Sequence, residues 1–413
     1  MGTMSSDETG DAMSAFIYDG LRTPFGRHAG ALAKVRPDDL LASVIKALVE
    51  RNAFAAEAYE DVIAGCTNQA GEDARNLARH AGLMAGLPVE TGGLTVNRLC
   101  GSGLAAIIDA SRAVRCGEGD LFVAGGAESM SRAPFVMAKS ESPFSRDFRA
   151  FDSTIGARFP NPRIEAAFGA DTMPETADNI ARELDLSREV VDQFAAQSQA
   201  RYDAALKDGF YNEEILAIEV PQGRKKPPVS VSSDEHPRPQ STVEALSGLR
   251  SLFEGGVVTA GNASGINDGA AALIIGSREA GEKAGIQPRA RIVSAAIAGV
   301  PPRVMGYGPV PASEKALARA GLGINDMDVI EINEAFAAQV LGCTTKLGID
   351  PTDSRLNPNG GAIAVGHPLG ASGARIALTA TRQLERSGGR YALISMCIGV
   401  GQGIAAVIER VTY

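Results

Sequence analysis

Ser102-Gly103 opens a helical pattern that runs to Arg115, and eighteen residues after the serine, at Asp120, the chain enters the apolar strand Leu121-Phe122-Val123-Ala124. The same phrase returns at Ser372-Gly373: eighteen residues on, at Arg390, comes Tyr391-Ala392-Leu393-Ile394. Upstream of each copy stands a second shared element, Asp61-Val62-Ile63 in one and Asp328-Val329-Ile330 in the other. The two offsets, 270 and 267 residues, nearly agree, and they indicate one duplicated unit.

Around both copies, strands alternate with helices. Phe16-Ile17-Tyr18 and Asp61 to Gly65 read as strands. Asp38 to Glu50 is apolar at Leu40, Leu41, Val44, Ile45, Leu48 and Val49, which is helical spacing. Such alternation predicts an α/β fold with a mostly buried sheet. The stretch from Met130 to Gly265 breaks the pattern. Ser131 to Pro162 is rich in Pro, Arg and Phe, Glu175 to Asp208 reads as one helical run, and Pro221 to Gln240 is polar and holds Arg224-Lys225-Lys226. A long non-repeating insertion of this kind is usually a lid or a binding region. The expected organisation is a disordered leader (1–14, with Met13 an alternative start), a first half (15–129 and 266–288), an inserted loop domain (130–265) and a second half (289–413).

Composition removes several classes of function. The net charge of −9 over 413 residues is the wrong sign for a nucleic-acid binder. No apolar run reaches the roughly 18–20 residues that cross a bilayer, so no membrane role is expected. The five cysteines, Cys66, Cys100, Cys116, Cys343 and Cys397, are odd in number and never spaced as CxxC. That argues against a disulfide framework and against structural zinc, and predicts a reduced, cytoplasmic protein with no metal site.

Three places carry candidate chemistry. Cys100, in Asn97-Arg98-Leu99-Cys100-Gly101-Ser102-Gly103, lies between a short strand and a helix, where the helix dipole and free N–H groups favour a thiolate. His367 sits in Asn359 to Gly373, a stretch too glycine-rich for ordinary core, and the duplication puts it near the counterpart of the Cys100 turn. Cys397 is expected just after a strand, leading Gly399-Val400-Gly401-Gln402-Gly403. This is not a dinucleotide fingerprint, because a strand and not a helix follows. Asn333-Glu334-Ala335-Phe336 follows the Asp328 strand and is open between a helix cap and a site. Cys66, Cys116 and Cys343 read as structural.

Five blocks together resemble the thiolase family: NRLCGSG around Cys100, GNASGINDGAA around Ser264, NEAFAAQ from Asn333, NGGAIAVGHPLGASGAR around His367 and CIGVGQG from Cys397. The resemblance implies a five-layer αβαβα fold of two similar halves, with a loop domain inserted in the first. It implies acyl transfer by an acetyl-CoA C-acyltransferase without a permanent cofactor, with coenzyme A and acyl-CoA as substrates. Cys100 would be the nucleophile, His367 its base, and Cys397 the acid/base for the substrate carbon. Asn333 would hold a water, and the N–H groups of Cys100 and Gly399 would form an oxyanion hole worth roughly 3–4 kcal/mol. Arg238, Ala260, Ser264, Met173 and Phe336 would line the coenzyme site. A homotetramer or homodimer is implied as well.

Within the family, acetoacetyl-CoA thiolases often carry His-Met where this chain has Thr172-Met173. The segments Arg132 to Met137, Asp152 to Gly156, Phe159 to Pro162 and Asp234 to Arg238 look like those of 3-oxoadipyl-CoA thiolases. A fatty-acid 3-ketoacyl-CoA thiolase is the alternative within the family. A Cys–His thioester hydrolase and a non-catalytic acyl-CoA-binding protein are the alternatives outside it. A distal substrate carboxylate would call for an arginine, and Arg158 and Arg163 are the candidates.

Overall fold

A computed structural model describes residues 14–412. Of the expected leader only Ser14 falls among them; residues 1–13 lie outside. The first half supplies β1 (Ala15–Arg22), β2 (Gly26–Arg27), β3 (Asp61–Gly65), β4 (Leu94–Val96) and β5 (Leu121–Ser129). The stretch after it holds two small hairpins, β6 (Phe135–Met137) with β7 (Ala150–Asp152) and β8 (Ile218–Val220) with β9 (Val229–Val231). Then come β10 (Asn267–Gly276), β11 (Ala290–Gly299), β12 (Val329–Ile332), β13 (Tyr391–Ile398) and β14 (Gln402–Arg410).

The duplication is visible in the pairing. β3 runs parallel to β5, which pairs antiparallel with β10; β12 runs parallel to β13, which pairs antiparallel with β14. Each half therefore repeats the same strand order, and a short β1–β11 pairing joins the two into one continuous sheet. β5 and β13 begin at Leu121 and Tyr391, 270 residues apart and each one residue later than the sequence pattern suggests.

Alternation along the strands creates the layers. In β5, Phe122 and Ala124 face a central core while Leu121 and Val123 face an outer one. In β13, Ile394 and Met396 face the same central core and Leu393 faces the outer core of the second half. The central core is filled by the helices Ser102–Cys116 and Leu369–Ser387. The helices Pro37–Arg51 and Leu77–Met84 cover the first outer face, and Pro309–Ala320 and Ala337–Leu347 the second. Helix, sheet, helix, sheet, helix: this is the five-layer α/β arrangement.

The two central helices meet at their glycines. A Cβ on Gly103 would stand 2.6 Å from the carbonyl oxygen of Gly370 and 2.9 Å from the nitrogen of Ala374. The backbones touch there, which fixes the spacing of both helix N-termini. Gly103→Ala is expected to cost about 1–3 kcal/mol through overpacking, read as a lower Tm in a thermal melt.

Two local expectations need correction. The run from Glu175 to Asp208 is not one helix but two, Met173–Glu183 and Arg188–Lys207. Asp185 takes a left-handed φ of 52°, and the Ser187 side chain accepts a bond from Val190 N, so cap chemistry wins over continued helix. Ser372 does not open its helix, which starts at Leu369 and leaves Ser372 inside the first turn. The insertion is fastened to β1 by a buried ion-pair cluster in which Arg22 meets Glu214 and Asp234, each at 2.6 Å. Among the described residues no helix is long and apolar enough to cross a membrane.

Candidate active site

The turn that carries Cys100 is set by its own side chains. Asn97 Oδ1 accepts from Leu99 N at 2.9 Å. Ser102 Oγ accepts from Arg98 N at 2.8 Å and donates to Leu99 O at 2.6 Å. These bonds hold Leu99 at a φ of 46°, a left-handed conformation that a leucine rarely adopts. Cys100 follows, half-buried, just before the Ser102–Cys116 helix. A Cβ on Gly101 would lie 2.6 Å from Ile398 Cδ1, so the turn rests on the end of β13 in the other half.

That contact brings Gly399 to the thiol. Burial pushes the thiol's pKa up to about 11, against the opposing pull of the Gly399 and Cys100 backbone N–H groups. The sequence expectation of a dipole-stabilised thiolate is thus corrected for the free protein. The resting group is a thiol and needs a base.

His367 supplies a suitable lone pair. Its backbone N–H donates to Asn267 Oδ1 at 2.9 Å, and its ring Nδ1 lies 2.6 Å from Ser372 Oγ. Ser372 Oγ, which also lies 3.0 Å from Pro368 O, holds the ring at Nδ1 and leaves Nε2 toward the site. Nε2 is buried without a partner among the described residues. Burial first, and the Arg375 guanidinium second, lower the pKa to about 3, so the ring is neutral.

Cys397 lies inside β13, one residue before its end, and not after the strand as expected. It is buried among Ala177, Val258, Ala263, Met305, Ala335 and Phe336. Burial, then the neighbouring Cys100 and Cys343, raise its pKa well above the ordinary thiol value. Asn333 is not a helix cap, since the next helix starts at Ala337. Its N–H donates to Ser395 O at 2.9 Å, while its buried Oδ1 and Nδ2 have no partner among the described residues. An unpaired buried amide is costly, and it marks a place for a water or a substrate oxygen.

Of the expected coenzyme contacts, three gather here. Ser264 N donates to Ala335 O at 2.9 Å, Phe336 pairs with Ala263, and Met173 Sδ lies 3.6 Å from a Cβ placed on Gly399. Ala260 is exposed on the same segment as Ser264. Arg238 stands apart from the cysteines: its Nη1 donates to the carbonyls of Glu235, His236 and Pro237, and its N–H to Gln199 Oε1. Arg224, Lys225 and Lys226 are exposed, in keeping with a solvated charge run. Sequence reasoning missed Asn267 and Ser372, which fix the imidazole. The repeated serine was the available signal for the latter.

With this geometry in place, comparison decides the family. The thiolase N-terminal domain model matches residues 15–279, and the thiolase C-terminal domain model matches residues 286–410. The chain belongs to the thiolase family. It is therefore an acyltransferase of the acetyl-CoA C-acyltransferase type, as the five motifs implied. A similar thiolase from Escherichia coli strain K12, named 3-oxoadipyl-CoA/3-oxo-5,6-dehydrosuberyl-CoA thiolase, is 58% identical over 96% of this chain and 99% of its own. A beta-ketoadipyl-CoA thiolase of Acinetobacter baylyi is 56% identical over the same shares. The crystal structure of human mitochondrial 3-ketoacyl-CoA thiolase superposes with a TM-score of 0.89 at 41% identity, covering 97% of this chain and all of that one. The human thiolase has also been solved in complex with CoA, at a TM-score of 0.88.

Proposed function

We propose that this thiolase cleaves 3-oxoadipyl-CoA with coenzyme A, giving acetyl-CoA and succinyl-CoA through an acyl group carried on Cys100. The observation that carries the chemistry is a buried, neutral imidazole whose Nε2 has no partner among the described residues, together with a Cys100 thiol whose charge the backbone N–H of Gly399 favours. His367 Nε2 takes the Cys100 proton, and the sulfur attacks the 3-oxo carbon. The bond between C2 and C3 then breaks, and Cys397 gives its proton to the departing acetyl-CoA carbon. Coenzyme A next enters as a thiol, loses its proton to Cys397 and takes the acyl group from Cys100. The N–H groups of Cys100 and Gly399 hold the oxyanion, and Asn333 with His367 holds the thioester oxygen of the second substrate. The segment around Ser264, with Ala260, Met173 and Phe336, accommodates the pantetheine arm, and Arg238 stands toward the nucleotide end. The reaction needs no metal and no resident cofactor.

The substrate reading is supported by the names of the relatives that are 54–58% identical. It is supported also by Arg158, which donates to the backbone oxygen of Asn68. Asn68 lies on the loop whose Thr67 Oγ1 donates to Leu99 O at 3.2 Å, beside the nucleophile. Arg163 sits instead on the exposed helix Pro162–Phe168 and is the weaker candidate for a substrate carboxylate. The deciding assay is thiolysis of 3-oxoadipyl-CoA, acetoacetyl-CoA and a long-chain 3-ketoacyl-CoA side by side. Arg158→Leu should lower kcat/KM for 3-oxoadipyl-CoA about 10–100-fold, the worth of a charge-assisted bond, and spare acetoacetyl-CoA. Equal loss on both, or preference for the long chain, makes the enzyme a general 3-ketoacyl-CoA thiolase. The same reading carries a cytoplasmic homotetramer or homodimer. The exposed Phe135, Phe144 and Phe148 of the insertion are apolar surface of the kind that subunits cover, and sedimentation would measure the oligomer.

A further inference from the structure

Glu128, near the end of β5, is 2% exposed and makes no ion pair with any described residue. Its carboxylate instead accepts three backbone N–H bonds. Oε1 takes Asn68 N at 2.9 Å; Oε2 takes Thr67 N at 3.0 Å and Gly370 N at 2.9 Å. The first two donors belong to the loop after β3. That loop grips the nucleophile turn twice: Thr67 Oγ1 donates to Leu99 O at 3.2 Å, and Asn97 Nδ2 donates to Thr67 O at 3.1 Å. The third donor is three residues past His367, in the first turn of the Leu369–Ser387 helix. One carboxylate thus spans the seam between the halves, with the Cys100 turn on one side and the His367 turn on the other.

The second half builds the corresponding strand without such a group. The 270-residue offset sets Glu128 opposite Ile398, an apolar residue at the same place in the second half. A buried carboxylate is costly beside an apolar alternative, and the repeat proves that the alternative builds the same strand. Next to it, Cys66 Sγ lies 3.5 Å from Asp73 Oδ2, and Asp73 Oδ1 accepts from Gly71 N, so these neighbours are engaged with each other and with their own loop.

We infer that Glu128 is a positioning residue for the thiolase reaction, a three-point anchor that sets the nucleophile's turn in register with the base's turn from the other half. It touches neither substrate nor the reacting atoms, and the inference rests on the roles proposed for Cys100 and His367. Removing one acceptor, as in Glu128→Gln, leaves an amide N–H facing a backbone N–H and lets the two turns drift. Misplacement of about 1 Å costs on the order of 100-fold in rate, so kcat should fall about 10–100-fold. KM for the acyl-CoA and affinity for CoA should stay within about twofold, because the coenzyme segment is not held by Glu128.

The test is steady-state thiolysis by wild type and Glu128→Gln, with CoA titration and a thermal melt on each. Loss of kcat with CoA affinity intact supports the inference; unchanged kcat, or parallel loss of kcat, CoA affinity and Tm, overturns it. Thr67→Val cuts only the link from this loop to Leu99 O and provides a second reading should Glu128→Gln fail to fold. It should lower kcat in the same way, and no change would overturn the inference. If both variants fold, the double variant should be no slower than the slower single one, since both break one chain of contacts; additive losses would count against it. Should the wild type cleave none of the substrates, the functional reading fails instead. The rate of Cys100 alkylation by iodoacetamide, which needs no acyl-CoA, would then still report whether Glu128 governs the nucleophile's setting: altered in Glu128→Gln if it does, unaltered if it does not.

Discussion

Cys100→Ala is expected to abolish thiolysis and leave the fold unchanged. The alanine keeps the Leu99 turn, because that turn is held by Asn97 and Ser102 and not by the thiol. It also keeps the Gly399 N–H in place, since Gly399 belongs to the turn after β13. What vanishes is the sulfur proposed to carry the acyl group. The residual rate should approach that of the uncatalysed reaction, a loss of on the order of 10⁶-fold or more given the range of enzymatic accelerations. Two measurements check this. Circular dichroism and Tm should match the wild type. Incubation of the wild type with acetyl-CoA, followed by peptide mass analysis, should place the acetyl group on Cys100. Acetyl on Cys66, Cys116 or Cys343 would reject the assignment. Cys66 and Cys343 are buried, and burial raises both thiols, Cys343 to about 12.

Cys397→Ala is expected to separate the half-reactions. In the proposed mechanism, taking the acyl group from an acyl-CoA onto Cys100 relies on His367 and the oxyanion donors. Making or breaking the carbon–carbon bond also moves a proton at the acetyl carbon, and Cys397 is the buried thiol beside Cys100. The variant should still label Cys100 with acetyl-CoA, yet lose carbon–carbon bond chemistry by about 10²–10⁴-fold, the usual worth of a general acid/base. Equal small losses in both steps would reduce Cys397 to a packing residue in its apolar cluster. The same experiment disposes of the hydrolase alternative, because a Cys–His hydrolase would keep most of its activity without Cys397.

The two similar halves were legible because duplication is a property of sequence spacing, whereas the five layers were implied by the thiolase resemblance. Ser102-Gly103 and Ser372-Gly373 mark two central helices whose glycines touch, and the strands after them begin 270 residues apart in the structure as in the sequence. The break at Asp185 was not legible, because a helical pattern of apolar residues runs straight through it and only the local backbone and the Ser187 cap interrupt it. Cys397 was placed after its strand, since the glycines that follow it announce a turn one residue too early.

The sequence by itself determined what depends on neighbours along the chain: helical and strand period, turn residues, the repeat, and the motifs that hold Cys100, Asn333, His367 and Cys397. Only the tertiary structure decided what depends on neighbours across it. The imidazole is held at Nδ1 by Ser372 Oγ, and the His367 backbone by Asn267, one hundred residues away. The Cys100 thiol is raised because atoms of the second half remove it from water, reversing the sign expected from its helix N-terminus. Glu128 showed nothing in the sequence to set it apart from a surface glutamate. Its meaning comes from three N–H donors at positions 67, 68 and 370, and the long-range electrostatics of a buried group are fixed by which distant backbone dipoles the fold turns toward it.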